Sequence, residues 1–269
     1  MTTDPKVFRR YREDVATVPL NETLETMLDH RSVRHYLPDA LDEGVLETIV
    51  AAASSAPTSS NVQAWSVIAV QNPETRDRLA EIAGGQNHIR QAPMILVWIA
   101  DLARAKVIGT AANEEMAALD YTETFLLAAI DAAIAGQNAL VAAESLGLGT
   151  VYIGALRNDP EAVAGLLGLP PRTMAVFGLV IGHPDPAIPS DVKPRLPQQA
   201  VLHHETYAVE AQPPAVERHD AATVAFRTEQ NLPRQTWSDL LVARLRDVAA
   251  LKGRDKLRGA LQRMGIKME

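Results

Sequence analysis

The chain has 269 residues, 47% of them hydrophobic, a formal net charge of −7 and no cysteine. That length buries a sizeable core in one large domain or one domain plus an extension, and the acidic balance argues against a broad nucleic-acid-binding face. With no cysteine there is no disulfide, thiolate nucleophile, cysteine-ligated zinc or iron–sulfur cluster, so redox chemistry would fall to a bound organic cofactor.

Residues 1–20 carry Asp4, Arg9, Arg10, Arg12, Glu13 and Asp14 without an apolar run. They do not read as a secretory signal, and a cytoplasmic location is expected. "NETLETMLDH" (21–30) predicts a helix capped by Asn21, and "LDEGVLETIVAAASSA" (41–56) a second one capped by Asp42. The loop "SSAPTSSNVQ" follows, dense in small hydroxylated residues. Val/Ile-rich runs at 65–71, 92–101, 150–155 and 173–184 predict core strands, with helices between them at 73–83, 111–146 and 159–168. The most apolar stretch (125–143) is interrupted by Asp131, Gln137 and Asn138, which marks a buried helix rather than a membrane span. "HPDPAIPSDVKPRLPQQ" holds five prolines and reads as an extended loop. Residues 207–235 have weak periodicity and read as a mobile loop, while 236–262 read as helical again, with Leu240, Leu241, Leu245 and Val248 on one stripe.

Several chemical signals fail on inspection. "GLGTVYIG" (147–154) has the wrong spacing for a dinucleotide fingerprint, and it follows a helix instead of opening one; Gly147 reads as a helix C-cap. "HHE" (203–205) reads as exposed loop histidines rather than a metal site. Trp65 and Trp98 read as core, and Gln137 and Asn138 as structural hydrogen-bonders inside a long helix. Trp237 is a candidate to pack the C-terminal extension onto a partner chain. What remains is a dispersed anion site. "HRSVR" (30–34) and "KPR" (193–195) together offer guanidinium forks, a hydroxyl and an ammonium, the donor set a phosphate monoester needs, although a solvated charged face is the simpler reading of either run alone.

The segments "HRSVRHY", "TSSNVQAWS", "GGQNHI", "IDAAIAGQNALVAAESLGLGTVYIGALRND", "VFGLVIGHP", "KPRLP" and "TWSD" occur in an order that resembles the nitroreductase family, most closely its NADPH-dependent, oxygen-insensitive nitroreductase and flavin reductase branch. The resemblance implies an α+β fold with a mixed central β-sheet flanked by helices, in an interlocked homodimer. It implies an FMN-binding core over residues 1–197 and an extension over 198–269, whose mobile loop and C-terminal helices pack on the dimer. His30, Arg31, Ser32 and Arg34 match the first FMN segment, and Lys193 and Arg195 the second phosphate arm. Thr58, Ser59 and Ser60 match a loop along the flavin, and Gln86 a glutamine facing its ring. Tyr152, Ile153, Gly154 and Ala155 match the segment against the flavin, with the Ala155 backbone near N5.

The implied activity is ping-pong hydride transfer from NADPH or NADH through FMN to nitroaromatics, quinones or free flavin, a small-molecule reaction with no membrane or nucleic-acid partner and no metal. No side chain need act as acid or base in such chemistry. The alternatives are a flavin-storing protein with little turnover, or a specialised reduction on the same fold. Three positions depart from the family's pattern. Ala155 stands where a second glycine is common, and its methyl would be strained if the backbone there needed a positive φ. Asn61 stands beside the substrate pocket where an apolar residue is common. The family's nucleotide-phosphate arginine aligns with Thr228, leaving Arg227 and Arg234 as the nearby candidates.

Overall fold

The computed structural model describes residues 3–269. Short polar side chains start many of its helices by accepting a backbone N–H of the first turn: Asp4 at α1 (Pro5–Tyr11) and Asn21 at α2 (Glu22–Leu28). α3 (Val45–Ser54) instead begins at Gly44, and Asn72 caps α4 (Pro73–Ile82). Then come α5 (Asn87–Gln91), α6 (Ala103–Ala111) and α7 (Thr122–Ser145), followed by α8 (Pro160–Leu167), which Asp159 caps. The last helices are α9 (Gln212–Glu229), α10 (Trp237–Leu245) with a Thr236–Asp239 capping box, and α11 (Leu257–Arg263).

The chain divides into two units, residues 32–190 with 252–269, and residues 1–31 with 191–251. The larger unit is built on a sheet of β1 (Trp65–Val70), β2 (Met94–Asp101), β3 (Gly149–Ile153) and β4 (Thr173–Gly182), in the order β1-β2-β4-β3. All three ladders are antiparallel. The parallel component of the expected mixed sheet is a single bridge, Ser32 to Thr150.

β2 is buried on both faces, which is why its sequence is continuously apolar instead of alternating. Ile95 and Val97 face one core with Leu79, Ile89, Val151 and Ile153. Met94, Leu96 and Trp98 face the other with Ile49, Phe177 and α7. α7 is long and apolar enough by composition to cross a bilayer. Its buried stripe, however, is alanine (128, 132, 135, 139 and 143), suited to close approach to the sheet and not to lipid contact. At Gly136 a Cβ would lie 2.9 Å from the Phe177 ring. Gly147 ends this helix with φ +79° and its N–H on Glu144 O, the expected C-cap. Trp98 is fully buried and its ring centroid lies 5.4 Å from that of Trp65. Asn138 Nδ2 donates to Ala52 O, and Gln137 Oε1 accepts from Tyr152 Oη.

The smaller unit contains α1, α2, the proline-rich segment from 191, α9 and α10. Two expectations need correction here. Residues 212–229 form a regular helix instead of a loop. Its buried positions are Ala215, His219 and Phe226, a stripe too small and too polar to register as hydrophobic periodicity. The helix expected over 236–262 breaks after Leu245 and resumes at Leu257, with Lys252 and Gly253 at φ +53° and +88° between the two.

Candidate functional site

The first basic run is pinned by its apolar residues. Val33 is buried and its N–H donates to Thr150 O at 2.9 Å, while buried Tyr36 donates its hydroxyl to Val33 O. Burial pushes the Tyr36 phenol far above its ordinary pKa, so it remains a neutral donor. This anchoring leaves Arg31 and Arg34 outward and exposed. The Arg34 guanidinium has one long bond, to Ser32 O at 3.4 Å.

Arg195 is similar, reaching only the carbonyls of Lys193 (3.3 Å) and Pro194 (3.4 Å). Among the described residues Arg31, Arg34 and Arg195 have no carboxylate partner. Arg9, Arg12, Arg90, Arg172, Arg218 and Arg263 each have at least one. In an acidic protein, an exposed guanidinium left without an acid is a donor available to an exogenous anion, although Arg227, Arg234, Arg244 and Arg258 also show no carboxylate partner among the described residues. Ser32 and Arg34 belong to the larger unit, and His30, Arg31, Lys193 and Arg195 to the smaller one.

Thr58, Ser59, Ser60 and Asn61 form a tight turn held by a residue that the sequence shows only as an interruption. Asp131, on α7 and almost fully buried, accepts from Thr58 Oγ1 (2.6 Å), Ser59 N (3.1 Å) and Ala64 N (3.1 Å). Ser60, Asn61 and Gln63 all have positive φ, of +49°, +57° and +53°. Asparagine tolerates that region better than an aromatic residue does, which accounts for Asn61 at its position. Gln86 follows the Gly84–Gly85 turn and donates to Ala83 O at 2.9 Å.

Tyr152 is exposed on β3, and its ring meets Phe177 edge-on at 5.0 Å. Gly154 and Ala155 begin a 3₁₀ turn, and neither has a positive φ. The Ala155 methyl is therefore unstrained, and it packs against the core that contains Ile153 and Leu156.

Within the smaller unit, a cavity of about 530 Å³ gathers Lys193, Arg195 and Arg227 against Phe226, Leu232 and Trp237. Arg227 projects from the last turn of α9 and donates Nε to Pro233 O, so it stands on a helix and not on the mobile loop expected. Arg234 lies exposed on the link to α10, outside the cavity lining. Trp237 packs edge-on against His219 of its own chain, centroids 5.5 Å apart, and lines the same cavity. His219 is buried; desolvation lowers its pKa, and its Nδ1 has no partner among the described residues. His203 of the "HHE" run accepts the Ala208 N–H and stacks on Tyr207.

Arg10 is a second residue near these segments that the sequence does not single out. It is buried, and its guanidinium donates to Leu28 O, His30 O and Lys193 O. In a run with Arg9, Arg12 and Glu13 nothing separates it from an ordinary solvated face.

A fold with these motifs in this arrangement is that of the nitroreductase family, whose profile matches residues 27–183, with the family's C-terminal domain matching 193–269. The chain belongs to that family. It is 46% identical over 189 residues to the FMN reductase [NAD(P)H] of Bacillus subtilis, covering 70% of this chain and 75% of that protein. It is 39% identical over 225 residues to the oxygen-insensitive NADPH nitroreductase of Salmonella typhimurium, covering 82% and 89%. Among solved structures it superimposes on NfrA2 of Bacillus megaterium with a TM-score of 0.88 at 38% identity, covering 93% of this chain and all of that one.

Proposed function

We propose that the protein is an FMN-dependent NAD(P)H oxidoreductase that reduces nitroaromatics, quinones or free flavin. The observation that carries this reading is that Arg31, Arg34 and Arg195 are exposed guanidiniums without carboxylate partners, on the two segments that the sequence resemblance assigns to the phosphate arms. The residues fit the cofactor by the chemistry of their donors. Arg31, Ser32, Arg34, Lys193 and Arg195 would hold the phosphate, with His30 in the same arm. Hydroxyls and N–H groups of Thr58, Ser59 and Ser60, the Gln86 amide and the backbone of Tyr152–Ala155 would line the ring. FMN, when bound, would supply the two-electron hydride chemistry that no side chain here can carry.

The chain's own contribution is binding and orientation. Asp131 holds the Thr58–Asn61 turn rigid, and the backbone N–H of Ala155 is a fixed donor on a short turn, suited to stabilising charge without a proton-transfer partner. Arg227, beside Lys193 and Arg195, would take the 2′-phosphate of NADPH, with Arg234 as a further cation. Nucleotide and acceptor would use one pocket in turn, giving ping-pong kinetics. Asn61 would border the acceptor.

A homodimer is part of the same reading. Leu126 and Ile130 of α7 are half exposed beside Thr58 and Ser59, and Leu241, Val242, Leu245 and Val248 are exposed on and after α10. Such apolar faces favour burial against a second copy. The domain reading is an FMN-binding core over 1–197 and an extension over 198–269 packing on the dimer, in the cytoplasm. Steady-state oxidation of NADPH and NADH with a quinone tests the activity. Parallel double-reciprocal lines are expected; FMN binding without quinone-stimulated oxidation would make the protein a flavin store.

A further inference from the structure

The inference concerns α1, and it rests on the FMN reading above. Residues 5–11 lie outside both stretches matched to the family, so nothing about Arg10 is inherited from that match. Yet Arg10 joins the two segments that carry the phosphate arms. Its Nη2 donates to Leu28 O and His30 O, each at 2.7 Å, and its Nη1 donates to Lys193 O at 2.9 Å. Its own carbonyl accepts from Arg195 N at 2.8 Å. One buried residue thus bonds directly to the backbone of His30, Lys193 and Arg195. The neighbouring side chains of α1 repeat the pattern outside. Lys6 pairs with Asp29 and Glu25, and Arg9 pairs with both Asp29 and Asp191.

A guanidinium suits this place. It is planar, it cannot shed its charge, and its fork satisfies several carbonyls at once, whereas an ammonium is a point donor. If the side chain swung out toward the anion, the backbone carbonyls it now satisfies would be left unpaired, which holds Arg10 in the brace and not on the phosphate.

We infer that Arg10 is a positioning residue that pre-assembles the His30–Arg31 and Lys193–Arg195 arms for the phosphate of FMN, and that α1 is a brace added to the family core for that purpose. Holding the arms in place before binding removes an ordering cost that the phosphate contacts would otherwise have to offset. The consequence is specific to the phosphate, because the carbonyls that Arg10 holds belong to the two arms and to Leu28, and not to the segments expected along the flavin ring.

The test is the affinity of the full-length, flavin-stripped protein for FMN and for riboflavin, which lacks the phosphate, read by quenching of flavin fluorescence. Arg10→Gln should weaken FMN by about 10-fold or more, the equivalent of one charge-assisted hydrogen bond, and leave riboflavin within about 2-fold. Arg10→Lys keeps a buried cation, and so keeps the fold accessible if the glutamine variant does not fold. It should show a smaller loss, again for FMN alone. Variants that keep the wild-type ratio of FMN to riboflavin affinity would overturn the brace, and so would equal weakening for both flavins, the mark of general loosening. A wild-type chain that binds no FMN would overturn the cofactor reading as well, which separates the two failures.

Discussion

Replacing Asp131 with asparagine changes one atom and probes how the hydroxyl-rich turn is held. The carboxylate takes three donors, with Oδ2 accepting from Thr58 Oγ1 at 2.6 Å and Ala64 N at 3.1 Å, and Oδ1 accepting from Ser59 N at 3.1 Å. An amide has one acceptor oxygen. Its best orientation keeps that oxygen on Thr58 and Ala64 and turns the NH₂ toward the Ser59 N–H, donor against donor. The cost is one orphaned backbone donor plus the lost charge assistance of the other two bonds, about 2–3 kcal/mol in all. For a chain of this length that lowers the melting temperature by about 4–12 °C. Ser59→Ala should be nearly neutral in the same assay, because Ser59 contributes its backbone and not its hydroxyl. Thermal and urea denaturation of both variants decide the matter. Asp131→Asn within about 0.5 kcal/mol of wild type would refute the account of the turn.

Three further outcomes follow from the structure. Burial, aided by Arg34 and His35, lowers the His88 pKa from 6.5 to about 4. The unfolded chain therefore takes up a proton below 6.5 that the folded one refuses; the stabilisation is complete above that pH and fades toward about 4. Comparing urea midpoints at pH about 7 and about 5, His88→Gln should remove about 1 kcal/mol of that loss, the full shift being discounted for solvent screening of a partly exposed ring, and an unchanged acid slope would contradict it. A Cβ at Gly149 would lie 2.8 Å from Val33 Cγ2 and 3.0 Å from Pro184 Cγ, so Gly149→Ala should cost about 1–3 kcal/mol in denaturation and loosen the Ser32–Arg34 segment; a neutral result would deny that contact its role. Arg227→Ala should raise KM for NADPH while leaving NADH turnover nearly unchanged, with an NADPH preference that weakens as salt is added. Equal efficiency of the two nucleotides in the wild type would refute the role given to Arg227.

The strands were legible because β2 and β4 are nearly continuous apolar runs rich in Val, Ile, Leu and Met, and buried strands in a two-sided core have that composition. Gly147 was legible because a helix end followed by glycine has few other uses. α9 was hidden because its inward stripe mixes alanine, histidine and phenylalanine, so tertiary packing sets it and not periodicity. Asp131 and Arg10 were hidden for opposite reasons. The first was an isolated charge in an apolar helix, its partners 67 to 73 residues away along the chain. The second was one basic residue among several, set apart only by its burial and its bonds to backbone carbonyls, neither of which the sequence shows. The strain considered at Ala155 turned on φ, which the residue name alone does not reveal and which is not positive there; the left-handed φ of Asn61 was equally hidden.

The most direct test of the central claim is the visible absorbance of the FMN-reconstituted protein, titrated with NADPH under argon. One FMN should bind per chain, its absorbance should bleach on adding NADPH, and it should return when a quinone is added. A protein that retains no FMN, or whose bound FMN stays oxidised with both NADPH and NADH, would contradict the account.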